Sequence, residues 1–194
     1  KVENPAVCLG EKGEDTLQEQ VRFWMESIAP GVAPRISANQ ELRTAELRFE
    51  FTEGKVKTNP YKNINVGFGI TYVLPVIVAI LSAKPGDLIL LENPEAHIHP
   101  AGQRRLGELA AAAGAGGVQV ILETHSDHVL NGIRTAVKKH VIDCGQTGIF
   151  FFYKDLEDAY RHKVACPHLD PYGRLDFWPK GFFDEWDNAL MELL

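Results

Sequence analysis

The stretch LILLENPEAHIHP, residues 88–100, runs from four aliphatic side chains directly into an acidic and polar cluster. The run Leu88–Leu91 has no polar alternation, which is typical of a central parallel strand that is buried on both faces. Glu92 follows immediately, and a carboxylate in that place needs a charged partner because an unpaired buried charge is costly. The stretch therefore predicts a central strand with a charged site at its carboxyl end.

A second apolar run ends in polar side chains in the same way. VQVILETHS, residues 118–126, carries His125 just beyond its apolar part, and an Ala-rich helix separates it from the first strand. Another helix follows, and GIFFFYK, residues 148–154, predicts a third strand. This order predicts an α/β core with a mostly parallel sheet and flanking helices. Since ligands of such sheets bind beyond the carboxyl ends of the strands, Glu92 and His125 are expected at one edge.

Residues 1–60 predict a helix and a β-hairpin ahead of this core. Alternating apolar and charged side chains over 46–51 predict a half-buried strand, and TEGK, residues 52–55, predicts a turn into a short antiparallel partner. We therefore expect an antiparallel N-terminal strand pair, a core at residues 61–154 and an aromatic-rich C-terminal region at residues 155–194. Apolar residues at helical spacing place one face of the N-terminal helix at Leu17, Val21, Trp24, Met25 and Ile28.

The composition, with 45% hydrophobic and 24% charged residues, is that of a soluble globular protein. A net charge of -6 gives the chain no overall attraction to nucleic acid or to anionic membranes. The sequence shows no signal peptide, and its longest apolar run is too short to span a membrane. The three cysteines are far apart, which favours reduced thiols over a zinc site or disulfides. We therefore predict a cytoplasmic protein.

Three features of the core suit the binding of phosphates. A hydrated Mg²⁺ on a phosphate group is one partner for Glu92, and an Arg or Lys is the alternative. His125 can hydrogen-bond to a γ-phosphate, although a histidine there is also common as a structural residue. In NVGFGITY, residues 65–72, two glycines before a predicted helix let backbone N–H groups approach an anion.

These motifs, in this order, resemble the C-terminal half of an ABC-type ATPase head. The resemblance is closest to the SMC-like and OLD-like AAA ATPases of bacteria. WPKGFFDE, residues 178–185, is similar to a small C-terminal region of unassigned function in one branch of that family. The resemblance implies the C-terminal lobe of a P-loop NTPase head, with LILLENPE as its Walker B motif, ATP as substrate and Mg²⁺ as cofactor.

The resemblance also implies a role for each site residue. Glu92 matches the acid that holds Mg²⁺ through water, and His125 matches the switch histidine. Asn93 stands where the family keeps a catalytic glutamate, and an amide can position water but cannot accept its proton, so Glu95 is the candidate substitute. The signature segment, which touches the γ-phosphate of the nucleotide on the opposite subunit, corresponds to Asn65, Gly67, Gly69 and Thr71.

The sequence contains no GxxxxGK[ST] phosphate-binding loop. The resembling proteins carry that loop far upstream, and the chain starts at Lys1, so we expect the C-terminal portion of a longer ATPase, inactive by itself. The longer protein is expected to form a homodimer around nucleotide and to control DNA or an effector protein. Two alternatives stay open: a nucleotide-gated scaffold with negligible hydrolysis, which Asn93 favours, and a non-enzymatic α/β interaction domain.

Other residues have simpler interpretations. His97 and His99 could share a metal, but a role in shaping the loop after the strand is favoured. Lys138 and Lys139 are interpreted as charges at a helix end rather than as a nucleic-acid patch. The phenylalanines at 150–152 are expected in the core. The C-terminal aromatic residues are expected to pack on the domain, with a partner-binding patch as the alternative: Phe177, Trp178, Phe182, Phe183 and Trp186.

Overall fold

The computed structural model describes residues 1–10, 14–54, 56–154 and 161–193. Its helices are α1 (Leu17–Ile28), α2 (Phe68–Ser82), α3 (Pro100–Ala115), α4 (Asp127–Lys138) and α5 (Glu185–Leu193). Its strands are β1 (Val32–Asn39), β2 (Thr44–Glu53), β3 (Val56–Lys57), β4 (Tyr61–Lys62), β5 (Leu88–Glu92), β6 (Gln119–Glu123), β7 (Phe151–Lys154) and β8 (His162–Ala165). Short 3-10 turns lie at Pro5–Val7, Asn63–Asn65 and Cys144–Gln146. Within these ranges, no helix is long and apolar enough to cross a membrane.

The N-terminal sheet is antiparallel throughout. β1 pairs with β2 from Val32 opposite Phe51 to Asn39 opposite Thr44, and β2 also pairs with the short strands β3 and β4. The predicted antiparallel strand pair is therefore confirmed. The sequence pattern does not predict β1, because most of its side chains are exposed and carry no alternation of apolar and polar residues.

The main core lies between α1, α2, α3 and one face of the β5–β6 pair. α1 starts with a capping box, in which the side chains of Thr16 and Glu19 each accept a hydrogen bond from the other residue's backbone N–H. Trp24 donates a hydrogen bond from its indole to the carbonyl of Val7 at 2.8 Å, which fixes the N-terminal turn against the helix. The predicted apolar face of α1 is confirmed by the burial of Val21, Trp24, Met25 and Ile28.

α3 and α4 cross at two glycines. A Cβ at Gly107 would collide with the carbonyl of Val129, and a Cβ at Gly132 would collide with the carbonyl of Arg104. The two helix backbones are therefore in direct contact, and no larger residue fits at either position.

β5 and β6 form a parallel pair, with Leu88 beside Gln119 at one end and Glu92 beside Glu123 at the other. The parallel pairing of these two strands is as predicted. Among the described residues no other strands pair in parallel, and the three sheets are small and mixed in direction. The fold is α/β, but a mostly parallel sheet is not found.

Only one face of the β5–β6 pair is buried. Ile89 and Leu91 pack against the core, whereas Leu88, Leu90 and Ile121 are exposed, Leu90 to 69%. The prediction of a strand buried on both faces is therefore wrong in this structure. The helices described here cover a single face, and the aliphatic side chains on the other face have no covering element.

The predicted third strand is present as β7, but it does not join β5 and β6. β7 pairs antiparallel with β8, from Phe151 opposite Ala165 to Lys154 opposite His162. The physical reason is proximity along the chain, because a nearby strand can be paired at a low cost in loop-closure entropy. The sequence pattern identifies the strand and cannot identify its partner.

The C-terminal aromatic residues divide into a packed group and an exposed group. Phe182 is buried, and its ring centroid lies 5.2 Å from that of Phe151 and 5.6 Å from that of Trp178. The prediction that these residues pack on the domain holds for Phe182. Trp186 on α5 is exposed, and so are Phe150 and Phe152, which the sequence places in the core.

Candidate functional site

The carboxyl ends of β5 and β6 bring together two of the predicted site residues, Glu92 and His125, and a third acidic residue that the sequence does not predict, Glu123. Glu92 is the last residue of β5, Glu123 is its neighbour in β6, and His125 follows two residues later. The Nε2 atom of His125 lies 3.2 Å from Oε1 of Glu123, and the His125 side chain is 83% exposed. Glu92 and His125 thus lie at one edge of a parallel pair, as the order of the strands predicts.

Glu92 has no cationic partner among the described residues. No Arg or Lys of these ranges lies within ion-pair distance of its carboxylate, and the residue is exposed. The alternative in which an Arg or Lys neutralises Glu92 is therefore not found here. A single accessible carboxylate fits Mg²⁺ that is held mainly by phosphates and water, since Mg²⁺ takes few protein ligands.

The described residues contain no group of three or more acidic, histidine or cysteine side chains that could hold a metal ion. His97 and His99 instead contact protein groups. The ring of His97 packs edge-on against Phe68, with 4.9 Å between centroids, and Nδ1 of His99 accepts a hydrogen bond from the backbone N–H of Ala101 at the start of α3. Both histidines therefore shape the loop after β5.

Asn93 has a left-handed backbone conformation, with φ of 44°. Its backbone N–H donates to the carbonyl of Glu123 at 3.0 Å, and its carbonyl accepts from the N–H of Ala96 at 3.1 Å, which closes a tight turn. Asparagine tolerates this conformation better than residues with longer or branched side chains. The backbone therefore supplies a local physical reason for an amide at the position where the resemblance expects a glutamate.

Glu95 is turned toward the loop after β6. Its side chain is buried, with 6% of the residue exposed, and Oε1 accepts hydrogen bonds from the hydroxyl of Thr124 at 2.6 Å and from the backbone N–H of His125 at 3.1 Å. Oε2 of Glu95 is also buried and has no hydrogen-bond partner in the part of the chain that the structure describes. The carboxylate thus joins the turn after β5 to the backbone of the predicted switch histidine.

Gln103 completes this connection, and no sequence motif points to it. Its Oε1 accepts a hydrogen bond from the hydroxyl of Ser126 at 2.6 Å, and its Nε2 donates to the carbonyl of Ile98 at 2.8 Å. Ser126 is the N-cap of α4 and accepts from the backbone N–H groups of His128 and Val129. Polar residues of the turn after β5, of α3 and of the start of α4 therefore form one hydrogen-bond network next to His125.

The predicted signature residues lie around the start of α2. Gly67 is the N-cap of this helix and makes no side-chain capping contact, while Asn65 ends the preceding 3-10 turn. A Cβ at Gly69 would collide with the carbonyl of His97, so Gly69 allows α2 to contact the loop after β5. The hydroxyl of Thr71 donates to the carbonyl of Phe68 at 2.9 Å, within the helix.

The family comparison identifies the domain as ATPase-like. Residues 14–131 match the family described as AAA domain, putative AbiEii toxin, Type IV TA system, and the chain belongs to that family. Residues 142–193 match a family described as a protein of unknown function, DUF3696. The resemblance to SMC-like and OLD-like AAA ATPases is thereby confirmed. No curated protein matches the chain.

Solved structures with the same fold are SMC ATPase heads. One is from work on ATP-driven dimerization and DNA-stimulated activation of SMC ATPases (14% identity, TM-score 0.55, covering 93% of this chain and 92% of that one). Another is an SMC head bound to the C-terminal winged-helix domain of ScpA (15%, TM-score 0.56, 79% and 43%). A third is the Smc head domain from Pyrococcus furiosus with an extended coiled coil and the C-terminal domain of ScpA (14%, TM-score 0.53, 91% and 37%). At these identities the likeness establishes a shared fold.

Proposed function

We propose that this chain is the lobe of an SMC-like AAA ATPase that contacts Mg²⁺ and the γ-phosphate of ATP, and that ATP joins two such heads into a dimer. The observation that carries the proposal is the position of Glu92 and His125 on neighbouring parallel strand ends, with Glu92 free of any cationic partner among the described residues. Membership of the AAA family and the likeness to SMC heads support it.

Each side chain at this edge has a task in the proposal. Glu92 holds Mg²⁺, which when bound neutralises negative charge on the phosphates. His125 donates a hydrogen bond to the γ-phosphate, and Glu95 positions His125 through its backbone N–H. Asn93 orients the attacking water without accepting its proton, so hydrolysis is slow.

The signature segment acts across the dimer in this proposal. The uncapped start of α2 at Gly67 offers backbone N–H groups to the γ-phosphate bound by the second copy. Asn65 adds a side-chain donor. The hydroxyl of Thr71 donates to the carbonyl of Phe68 in this structure, so in this proposal it donates to the phosphate only after its side chain rotates.

The phosphate-binding loop comes from a companion lobe that covers the open face of β5 and β6. Parallel sheets are normally covered on both faces, and here Leu88, Leu90 and Ile121 are exposed on one face. The open face lies on the same strands that end in the site, so a lobe docked there reaches the edge where Glu92 lies.

The proposal is tested by ATP hydrolysis in the intact head, with the companion lobe present. Glu92→Gln removes the charge that holds Mg²⁺ and is expected to lower turnover about 100-fold, a typical loss for a preorganised electrostatic contact. Glu41→Gln, the same change at an exposed turn, is the matched control and should leave turnover unchanged. Wild-type turnover in Glu92→Gln would contradict the proposal.

A second candidate is a nucleotide-gated scaffold that binds ATP and dimerises without significant hydrolysis. The left-handed Asn93 favours it, since no carboxylate occupies that position. Dimerisation measured by light scattering with ATP, together with turnover below detection, would select the scaffold over the ATPase.

A further inference from the structure

A separate cavity lies between α4 and the C-terminal region, in a part of the chain that the proposed ATPase site does not use. Its volume is about 380 Å³, within the range of small-ligand pockets. One wall is a face of α4, and the other is the turn around Gly173. The lining residues are Asn131, Arg134, Thr135, Lys138, Tyr172, Gly173 and Arg174.

The cavity is strongly basic. Arg134, Lys138 and Arg174 line it, and no carboxylate of the described residues does. None of the three forms an ion pair with an acidic side chain of the described residues. The carboxylate of Asp170 lies in the same turn, where it accepts from the backbone N–H groups of Tyr172 and Arg174 and leaves all three cationic side chains without an ion pair among the described residues. Three such cations in one cavity of a chain whose net charge is -6 favour an anionic ligand. Lys138 lies in the last turn of α4, where a helix-end charge is predicted.

Arg134 is held rigidly in this wall. Its Nε donates to the carbonyl of Gly173 at 2.8 Å, its Nη1 donates to Oδ1 of Asn131 at 2.7 Å, and its guanidinium lies 5.5 Å from the ring centroid of Trp178. A Cβ at Gly173 would collide with the carbonyl of Arg134, so the turn and the helix are in direct contact. The cation is thus positioned before any ligand arrives, which reduces the ordering cost of binding.

Aromatic rings beside the cations indicate the chemical class of the ligand. Tyr172 lines the cavity, is 67% exposed and has the guanidinium of Arg174 at 5.7 Å from its ring centroid. Trp178 is also exposed. Cations that contact phosphate together with exposed rings that stack on bases are the combination that binds single-stranded nucleic acid.

We propose that this cavity binds a nucleotide unit of a single strand, with the phosphate against Lys138 and Arg174 and the base against Tyr172. The site is distinct from the edge at Glu92 and needs no ATP hydrolysis. Its chemistry is shared by a free nucleotide, so the test must separate the strand from the mononucleotide.

The test is fluorescence anisotropy of the 194-residue chain with a 5′-labelled single-stranded oligonucleotide of mixed sequence. Lys138→Glu and Arg174→Glu should each weaken binding about tenfold or more, as expected for the loss of a charged hydrogen bond. Tyr172→Ala should weaken it by a similar factor through lost stacking. Lys57→Glu, on exposed strand β3, is the control with the same charge change and should stay within about twofold, as a rim charge does.

Salt dependence is a second readout. Two phosphate contacts, from Lys138 and Arg174, give a slope of log K against log salt of about -1.4 for a single strand, and each charge reversal should reduce its magnitude by about 0.7 or more. Lys138 and Arg174 are exposed, so their replacement leaves the core intact, which a thermal melt checks. If an unlabelled nucleoside monophosphate displaces the strand at an equal concentration, the ligand is the free nucleotide, and the assignment to a strand is overturned. Absence of strand and nucleotide binding, or equal binding by Lys57→Glu and both pocket variants, would overturn the proposal.

Discussion

The carboxylate of Glu95, in the turn after β5, accepts a hydrogen bond at 2.6 Å from the hydroxyl of Thr124, which follows β6 and is separated from Glu95 by helix α3 in the sequence. The same oxygen accepts from the backbone N–H of His125. Glu95 therefore determines where the exposed imidazole of His125 is presented, although its own carboxylate is buried. This geometry favours a positioning role over the role of proton acceptor that the sequence suggests for Glu95.

Removal of the Glu95 side chain should destabilise the fold. Glu95→Ala loses two hydrogen bonds and is expected to lower the free energy of unfolding by about 2–3 kcal/mol, whereas Glu95→Gln keeps an acceptor and should cost less than about 1 kcal/mol. Urea denaturation measures both. Glu92→Ala, at an exposed carboxylate at the end of β5, is the control and should change stability by less than about 0.5 kcal/mol.

Gly69 should not tolerate a side chain. Gly69→Ala places a methyl group against the carbonyl of His97 and should cost about 2 kcal/mol or more, by forcing α2 away from the loop after β5. Gly67→Ala is the matched control, because a Cβ there has open space and only the capping preference is lost, about 1 kcal/mol or less. Equal thermal melts for the two variants would show that the contact at His97 does not constrain the helix.

The left-handed backbone at Asn93 makes a separate prediction. Asn93→Val should lower the unfolding free energy by about 1–2 kcal/mol, while Asn93→Gly should be neutral, because only the β-branched residue is strained at this φ.

In the intact head, Asn93→Glu should raise turnover about 100-fold or more if a general base is what the site lacks. An unchanged rate in a folded Asn93→Glu variant would show that the turn does not aim the carboxylate at the water.

The open face of β5 and β6 should bind apolar probes. Leu90→Ser with Ile121→Ser is expected to reduce the fluorescence of bound 8-anilinonaphthalene-1-sulfonate and to leave stability nearly unchanged, since both side chains are exposed. Leu91→Ala, on the buried face of the same strand, is the contrast and should cost about 2–4 kcal/mol. A loss of stability in the double variant as large as that in Leu91→Ala would mean that the open face is covered in solution.

The chain by itself should bind ATP weakly. A phosphate-binding loop supplies most phosphate contacts in this class, and the sequence contains none. Calorimetry with Mg-ATP should therefore detect no binding stronger than roughly -5 kcal/mol. Low-micromolar affinity would show that the phosphates are held elsewhere on this chain.

Local sequence patterns predict the elements of this fold better than their partners. The apolar runs at β5 and β6 and the polar residues after them lead directly to Glu92 and His125 at one edge. The same run at Leu88–Leu91 implies two covered faces, whereas the described residues cover only one, because hydrophobicity indicates a requirement for burial and not which element meets it. Strand β7 is recognised for similar reasons, yet its antiparallel pairing depends on a neighbour that its own sequence does not specify.

The polar network of the site was beyond prediction for a different reason. Thr124, Gln103 and Glu95 come from three separate parts of the chain, and only Glu95 is singled out from the sequence, for a different role. Their hydrogen bonds exist only after the strands and α3 have come together, so no spacing within the sequence reveals them. Gly69 is similar, since its need for a close approach is set by the carbonyl of His97.

Helix α4 connects the loop that carries His125 with the C-terminal region. Its N-cap, Ser126, follows His125 directly. Further along the helix, Arg134 donates a hydrogen bond to the carbonyl of Gly173. The glycine crossing with α3 prevents α4 from sliding without moving α3 as well. The loop that carries His125 and the C-terminal region are thus joined by one short piece of helix, since α4 spans roughly 10 Å from Asp127 to Arg134 at 1.5 Å per residue.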